Sequence, residues 1–219
     1  MDTKVKKAIV LGGSKGIGKE ITKNLAKLRI KVISCSRQEI DTSDLNSVIK
    51  FYKKHPKIDI LILNSGGPSP LKFEEITIED WQKYFKQLFL SFFLILQNIK
   101  INNNGYVFYI SSSIIKEPGN SLIISSSLRS AMSSLLKSYS IDNSSKGISV
   151  INLAPGPFKT NRVKQLVKNL SELEKSLPTK KIGDPSEIGK FVKFIVENKI
   201  KYITGSTVYF DGNLNKSYN

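Results

Sequence analysis

The seven residues Gly12-Gly13-Ser14-Lys15-Gly16-Ile17-Gly18 constrain this chain more than any other stretch, because of what flanks them. Before them runs Ala8-Ile9-Val10-Leu11, an apolar segment of strand length, and after them Ile21, Leu25 and Leu28 recur at helix spacing. A strand, a glycine turn and a helix in that order is the setting in which a glycine cluster reads as a dinucleotide-binding turn. Gly12 can take the sharp turn out of the strand. Gly16 lets the backbone approach a pyrophosphate with no Cβ in between, and Gly18 permits close helix–strand packing. The start of the helix then offers unpaired N–H groups to the phosphates. The spacing, GxxxGxG, departs from the commoner GxGxxG, so a tight βα turn without a ligand remains open at this point.

The end of the next strand, Lys31 to Ser36, bears on the kind of nucleotide. An acid there would accept from the adenosine ribose 2′-OH, whereas a base would meet a 2′-phosphate. The residue is Arg37, with Lys15 in the glycine loop as a second cation, and the expected cofactor is NADP; the alternative is an exposed surface pair. Residues 38–44 are too few for a crossover helix and a further strand, so one edge of the sheet is expected to be trimmed. Thr42 or Ser43 can cap a helix starting near Asp44, whose Leu45, Val48, Ile49 and Tyr52 share a face. Ile58 to Leu63 is a continuous apolar run, as a central parallel strand buried on both faces would be, and it ends in Asn64-Ser65-Gly66-Gly67-Pro68.

Two long helices are expected next. The first, about 78–99, carries Trp81, Phe85, Leu88, Phe89, Phe92, Phe93 and Leu96, more apolar surface than one buried stripe needs. A monomer would leave Phe89, Phe92 or Phe93 exposed, so a homodimer or homotetramer is expected. The second, about 122–146, follows the strand 106–110 and the run Ser111-Ser112-Ser113. A strand over 148–153 leads to the rigid turn Ala154-Pro155-Gly156-Pro157, and residues 158–182 are polar and weakly patterned, as a mobile substrate lid would be. A helix over 186–196 and a strand over 207–210 complete a doubly wound α/β Rossmann fold with a mostly parallel sheet, a single domain over 1–219.

Composition narrows the partners. No apolar run approaches the roughly 20 residues of a membrane span, and no hydrophobic leader follows Met1, so a cytoplasmic location without membrane contact is expected. Cys35 is the only cysteine and reads as a core filler, and His55, the only histidine, reads as a surface or helix-end residue; no metal site is expected. The formal charge is +16, which raises nucleic acid as a partner. Only four of the 34 basic residues are Arg and the lysines are scattered, so that reading is disfavoured.

In order and spacing, these motifs resemble those of the short-chain dehydrogenase/reductase family, of which 3-oxoacyl-carrier-protein reductases are typical members. The glycine loop is similar to the family's TGxxxGIG with Leu11 in the Thr place. Asp41-Thr42-Ser43-Asp44 resembles its adenine-contacting segment, Asn64-Ser65-Gly66 its NNAG, and Asn152 to Thr160 its NxxxPGxxxT beside the nicotinamide. Gly183 to Glu187, Tyr202 to Gly205 and Phe210 to Gly212 resemble its C-terminal segments, and the likeness spans roughly residues 6–213. It implies a cofactor held by Gly12, Ser14, Lys15, Gly16, Ile17, Arg37, Asp41, Asn64, Gly66, Gly156, Phe158 and Thr160. It also implies NADP-dependent interconversion of a carbonyl and an alcohol, with 3-oxoacyl thioesters among the candidate substrates.

The resemblance breaks at the active site. The family's carbonyl-polarising Ser corresponds to Ser112, but its proton-transferring Tyr falls on Ser125, its ribose-holding Lys on Arg129 and its Asn on Leu88. An aliphatic hydroxyl has no acidity comparable to a phenol, whose pKa of about 10 can be tuned toward neutrality. Arg129 can hold ribose hydroxyls but stays charged and relays no proton. Tyr109, water or the substrate would then have to supply the proton. An inactive NADP-binding sensor or structural partner is the alternative, and it accounts for the missing Tyr and Lys directly.

Overall fold

The structure is a computed structural model and describes residues 6–167 and 169–217. Six strands form one sheet: β1 (Lys6–Leu11), β2 (Ile30–Cys35), β3 (Lys57–Leu63), β4 (Lys100–Ile110), β5 (Ser149–Pro155) and β6 (Ser206–Phe210). All are parallel, in the order β2-β1-β3-β4-β5-β6, so β2 is an edge and the trimmed sheet expected from the short 38–44 connection is observed. The helices are α1 (Gly16–Leu25), α2 (Leu45–Lys54), α3 (Ile78–Phe85), α4 (Ser91–Asn98), α5 (Ile123–Asn143), α6 (Asn161–Leu166), α7 (Leu170–Ser176) and α8 (Pro185–Glu197).

Strand periodicity sorts the core onto two faces. Ile9, Leu11, Leu61, Leu63, Val107 and Tyr109 face α2, α4 and α5 through Val48, Phe51, Phe92, Ile95, Met132 and Leu136. The alternate positions Ala8, Val10, Ile60, Ile62 and Phe108 face α1 and α8 through Ile21, Leu25, Ile188 and Val192. Cys35 is fully buried in the first cluster, and burial pushes its thiol up to about 12, which makes it inert filler. His55 caps the C-terminus of α2, its ring 4.8 Å from that of Phe51. Among the described residues no helix is long and apolar enough to cross a membrane.

Two local expectations are corrected. The α2 cap is Asp44, whose carboxylate accepts from the Asn46 N–H at 2.9 Å. Thr42 instead contacts the Ser65 hydroxyl across the cleft described below, and Ser43 donates to the Asp41 carboxylate two residues before it. The expected helix over 78–99 is two α segments joined by a π turn, Lys86–Leu90. The wider turn re-aims the rings: Phe92 is fully buried, Phe89 stacks on Phe85, and Trp81, Phe85 and Phe93 are the exposed ones. Residues 158–182 carry α6 and α7, with Val163, Leu177 and Ile182 buried beneath them.

Candidate active site and cofactor cleft

In this strand order β1 is flanked by β2 on one side and β3 on the other, and the chain reverses its direction of winding there. Ligands of open α/β sheets bind at the carboxyl ends of the strands that meet at such a point. Gly12 and Gly16 both take left-handed backbone, φ +59° and +53°, which a side chain with a Cβ adopts only with strain. Gly12 is also hemmed in: a Cβ there would lie 2.7 Å from Asn64 Nδ2. That amide donates to the Leu11 and Gly12 carbonyls at 3.2 and 3.3 Å, tying the end of β3 to the turn after β1. The first turn of α1 contains no acid and its cap residue, Lys15, makes no side-chain bond, so the positive end of the helix is unopposed.

A cleft opens here, lined by Gly12, Ser36, Arg37, Ile40, Asp41, Thr42, Asn64, Ser65, Gly66 and Gln87. A Cβ on Gly66 would touch nothing within 4 Å, so the glycine leaves room that a ligand can use. Of the residues named from the sequence, Gly12, Arg37, Asp41, Asn64 and Gly66 are brought together around this cleft. Ser14 and Lys15 are exposed on the loop beside it, Ile17 packs on the core, and Gly16 faces Thr160. Gly156 and Phe158 lie elsewhere: Gly156 donates its N–H to the Phe210 carbonyl, and Phe158 is buried against Gly183.

The charged groups lining the cleft are Arg37 and Asp41, both at its β2 end. Burial raises the Asp41 carboxyl, but the hydroxyl and N–H of Ser43 and the charge of Arg37 outweigh it, leaving the group below its ordinary value. Glu39, the other acid nearby, accepts from both the N–H and the hydroxyl of Ser36 at 2.6 Å, which lowers its pKa, and it does not line the cleft. Ser36, Ile40 and Gln87 were missed from the sequence, and Thr42 and Ser65 were named there only within their motifs. Gln87 is buried and donates to Ser65 Oγ at 3.1 Å and the Gly66 carbonyl at 2.9 Å, which sets the loop after β3. Leu88, the residue on which family spacing places an Asn, is packed with Ile124 and Leu128. The π turn puts its predecessor at the cleft instead.

The catalytic candidates gather where β4 ends and α5 begins. Ser112 is half-buried, and its hydroxyl makes no hydrogen bond among the described residues. Ser111 turns the other way and donates to the Leu153 carbonyl at 3.3 Å. Arg129 is buried and joins three elements: its Nε donates to Ser125 Oγ at 3.2 Å, Nη1 to the Ile110 carbonyl at 2.9 Å and Nη2 to the Ser65 carbonyl at 3.0 Å. Its backbone carbonyl accepts from Ser133, whose Oγ accepts in turn from Asn152. Tyr109 is sealed in the core beside Phe92; burial pushes its hydroxyl above the ordinary value against the nearby charge of Arg129. A phenol so placed has no route to a substrate. Among the described residues no group of side chains could hold a metal ion.

Residues 41–215 match the family described as enoyl-(acyl carrier protein) reductase. The 3-oxoacyl-[acyl-carrier-protein] reductase FabG of Buchnera aphidicola subsp. Acyrthosiphon pisum is 27% identical over 236 residues, covering 94% of this chain and 96% of its own. The NADPH-dependent reductase BacG of Bacillus subtilis is 26% identical over 253 residues, covering 96% and 98%. The crystal structure of YwfH, an NADPH-dependent reductase involved in bacilysin biosynthesis, superposes with a TM-score of 0.88 at 25% identity, over 98% of this chain and all of that one. With a family match over most of its length, a six-stranded parallel sheet and a glycine turn at the point where the winding reverses, the chain belongs to the short-chain dehydrogenase/reductase family of oxidoreductases.

Proposed function

We propose that this protein binds NADP in the cleft between β1 and β3 and interconverts a carbonyl and an alcohol beside Ser112, with 3-oxoacyl thioesters among the candidate substrates. The observation that carries the cofactor choice is at the end of β2, where Arg37 lines the cleft while Glu39 is held back on Ser36. The names of the reductase relatives, NADPH-dependent in one case, support the same reading. Gly66 leaves space for the cofactor backbone, Gly12 and Gly16 take the left-handed turn before α1, the start of α1 faces the phosphates, and Arg37 meets the 2′-phosphate. Lys15, Ser14, Ile17, Asp41, Asn64, Gly156, Phe158 and Thr160 complete the proposed set. Arg37→Asp is expected to invert the preference toward NAD, because it replaces a phosphate partner by a repelling acid. Calorimetry at fixed salt checks this, and equal NAD and NADP affinities in the unmutated protein would overturn it.

Bound NADPH supplies the hydride. What the chain contributes is stabilisation of the oxygen that gains charge. The Ser112 hydroxyl is uncommitted and serves as donor. Ser125 accepts from Arg129 Nε, so its own O–H remains available as a second donor, polarised by the cation behind it. The proton comes from water or the substrate. The segment 158–182 is the proposed cover over the substrate.

The second reading, an NADP-binding protein without turnover, is favoured by one observation: Arg129, in the position of the family's Lys, spends three of its N–H groups on protein acceptors. NADPH oxidation against ketones, 3-oxoacyl thioesters and quinones decides between the two. Assembly is proposed as well. Trp81, Phe85 and Phe93 place an aromatic surface on α3 and α4, and sedimentation is expected to show a dimer or tetramer; a stable monomer at micromolar concentration would count against it.

A further inference from the structure

Two guanidiniums converge at Gly67. A Cβ built there would have Ser125 Oγ at 3.3 Å and the Nη2 atoms of both Arg129 and Arg162 at 3.6 Å. Among the described residues neither arginine has an acidic partner. The ion pairs among the described residues are Lys23–Glu20, Lys159–Glu174 and Lys193–Glu197. The acceptors the arginines do have are neutral: the Ser125 hydroxyl and the Ile110 and Ser65 carbonyls for Arg129, the Pro68 carbonyl for Arg162. A guanidinium carries five N–H donors, so donors remain on both. Burial, and then the charge of Arg129, hold Arg162 below its ordinary value against the pull of Tyr84. Like charges brought together out of water are unfavourable unless an anion joins them.

The proposed cofactor phosphates lie at the start of α1 and at Arg37, whereas both guanidiniums turn to the loop after β3, where they donate to the Ser65 and Pro68 carbonyls. A phosphate on an acyl carrier arm does not suit either: it is separated from its thioester by the whole pantetheine chain, whereas Arg129 donates to Ser125 itself and Arg162 reaches the same place beside Gly67. A planar guanidinium fork matches a carboxylate through two parallel hydrogen bonds. We propose that Arg162, with Arg129 behind it, binds a carboxylate of the substrate, so that the carbonyl this protein works on belongs to a short oxo acid. The proposal rests on the reading of Ser112 and Ser125 as the place of reaction. It assigns Arg162 to substrate binding.

The test is calorimetry on the intact protein, with and without NADP⁺, using pyruvate, 3-oxobutanoate and 4-oxopentanoate, each beside its methyl ester. One acid is expected to bind at least about tenfold more tightly than its ester. Arg162→Gln should abolish that difference without changing NADP⁺ affinity, and Arg162→Lys, which keeps the charge but loses the fork, should restore only part of it. In NADPH oxidation the Gln variant should raise KM for the acid about tenfold and leave the ester unchanged. Thermal melting of each variant confirms that it folds, as expected for a half-buried side chain with one bonded acceptor among the described residues. Acid and ester binding alike, neither binding, discrimination surviving in Arg162→Gln, or NADP⁺ affinity falling with it would each overturn the proposal. Because binding is read without turnover, acids captured through Arg162 with no NADPH oxidised would uphold this site and sink the oxidoreductase reading. Ser112-dependent turnover that ignores the carboxylate would do the reverse.

Discussion

Ser112→Ala is expected to lower turnover about 10²-fold while leaving NADPH affinity nearly unchanged. The hydroxyl has no internal partner among the described residues, so its removal disturbs no structural bond, and the loss falls on the transition state, where the carbonyl oxygen carries most charge. The fall should appear in kcat and kcat/KM together. Ser125→Ala should cost less, because Arg129 remains behind the vacated position. Tyr109→Phe should leave turnover unaltered, since that hydroxyl is closed inside the core. Steady-state NADPH oxidation on the best panel substrate, with cofactor Kd from calorimetry, checks all three. If no panel member is turned over faster by the unmutated protein than by Ser112→Ala, the binding-protein reading replaces the enzyme.

Gly18→Ala is expected to lower stability by about 2–3 kcal/mol, near the upper end of overpacking costs. A Cβ on Gly18 would overlap the Gly12 carbonyl and meet the Gly12 carbonyl carbon at 2.8 Å, and both atoms are backbone that cannot rotate away. Relief requires α1 to lift from the end of β1. At this chain length the melting temperature should fall by roughly 5–10 °C, with an unchanged denaturant m-value. NADP affinity should fall with it, because the displaced helix start is the proposed phosphate site. Gly66→Ala separates the two effects: its Cβ enters open space, so stability should hold while cofactor binding weakens. Equal melting temperatures for Gly18→Ala and the unmutated protein would show that the turn is looser than its geometry.

Element type was legible wherever one face or both faces of an element were buried in register. The apolar runs 8–11 and 58–63 became β1 and β3 because a strand buried on both faces leaves no polar position to interrupt it. The first half of β4 was not legible, since Asn102-Asn103-Asn104-Gly105 reads as a turn. The strand absorbs it as an irregularity: its register against β3 shifts between Ile58 and Ile60, and Asn104 takes φ +59°. The π turn at Lys86–Leu90 left no sequence mark either. It is permitted because Gln87 satisfies the loop after β3 while Leu88 fills a gap against Ile124 and Leu128, two contacts made across the fold.

The sequence by itself determined the doubly wound architecture and the position of the nucleotide turn, because both depend on local rules: hydrophobic period within an element, and backbone conformations open to glycine at Gly12 and Gly16. It also marked Ser112, Ser125 and Arg129 as a departure from the family's chemistry. Only the tertiary structure decided what those residues touch. Arg129 and Arg162 are 33 positions apart and Gly67 is far from both along the chain, yet they meet at Gly67 near Ser125, because the loop after β3, α5 and α6 all begin beyond the carboxyl ends of the strands that precede them. No spacing rule encodes such a meeting: side chains from separate elements are brought together by how helices stack on strands, and their charges interact through the low-dielectric space left between them.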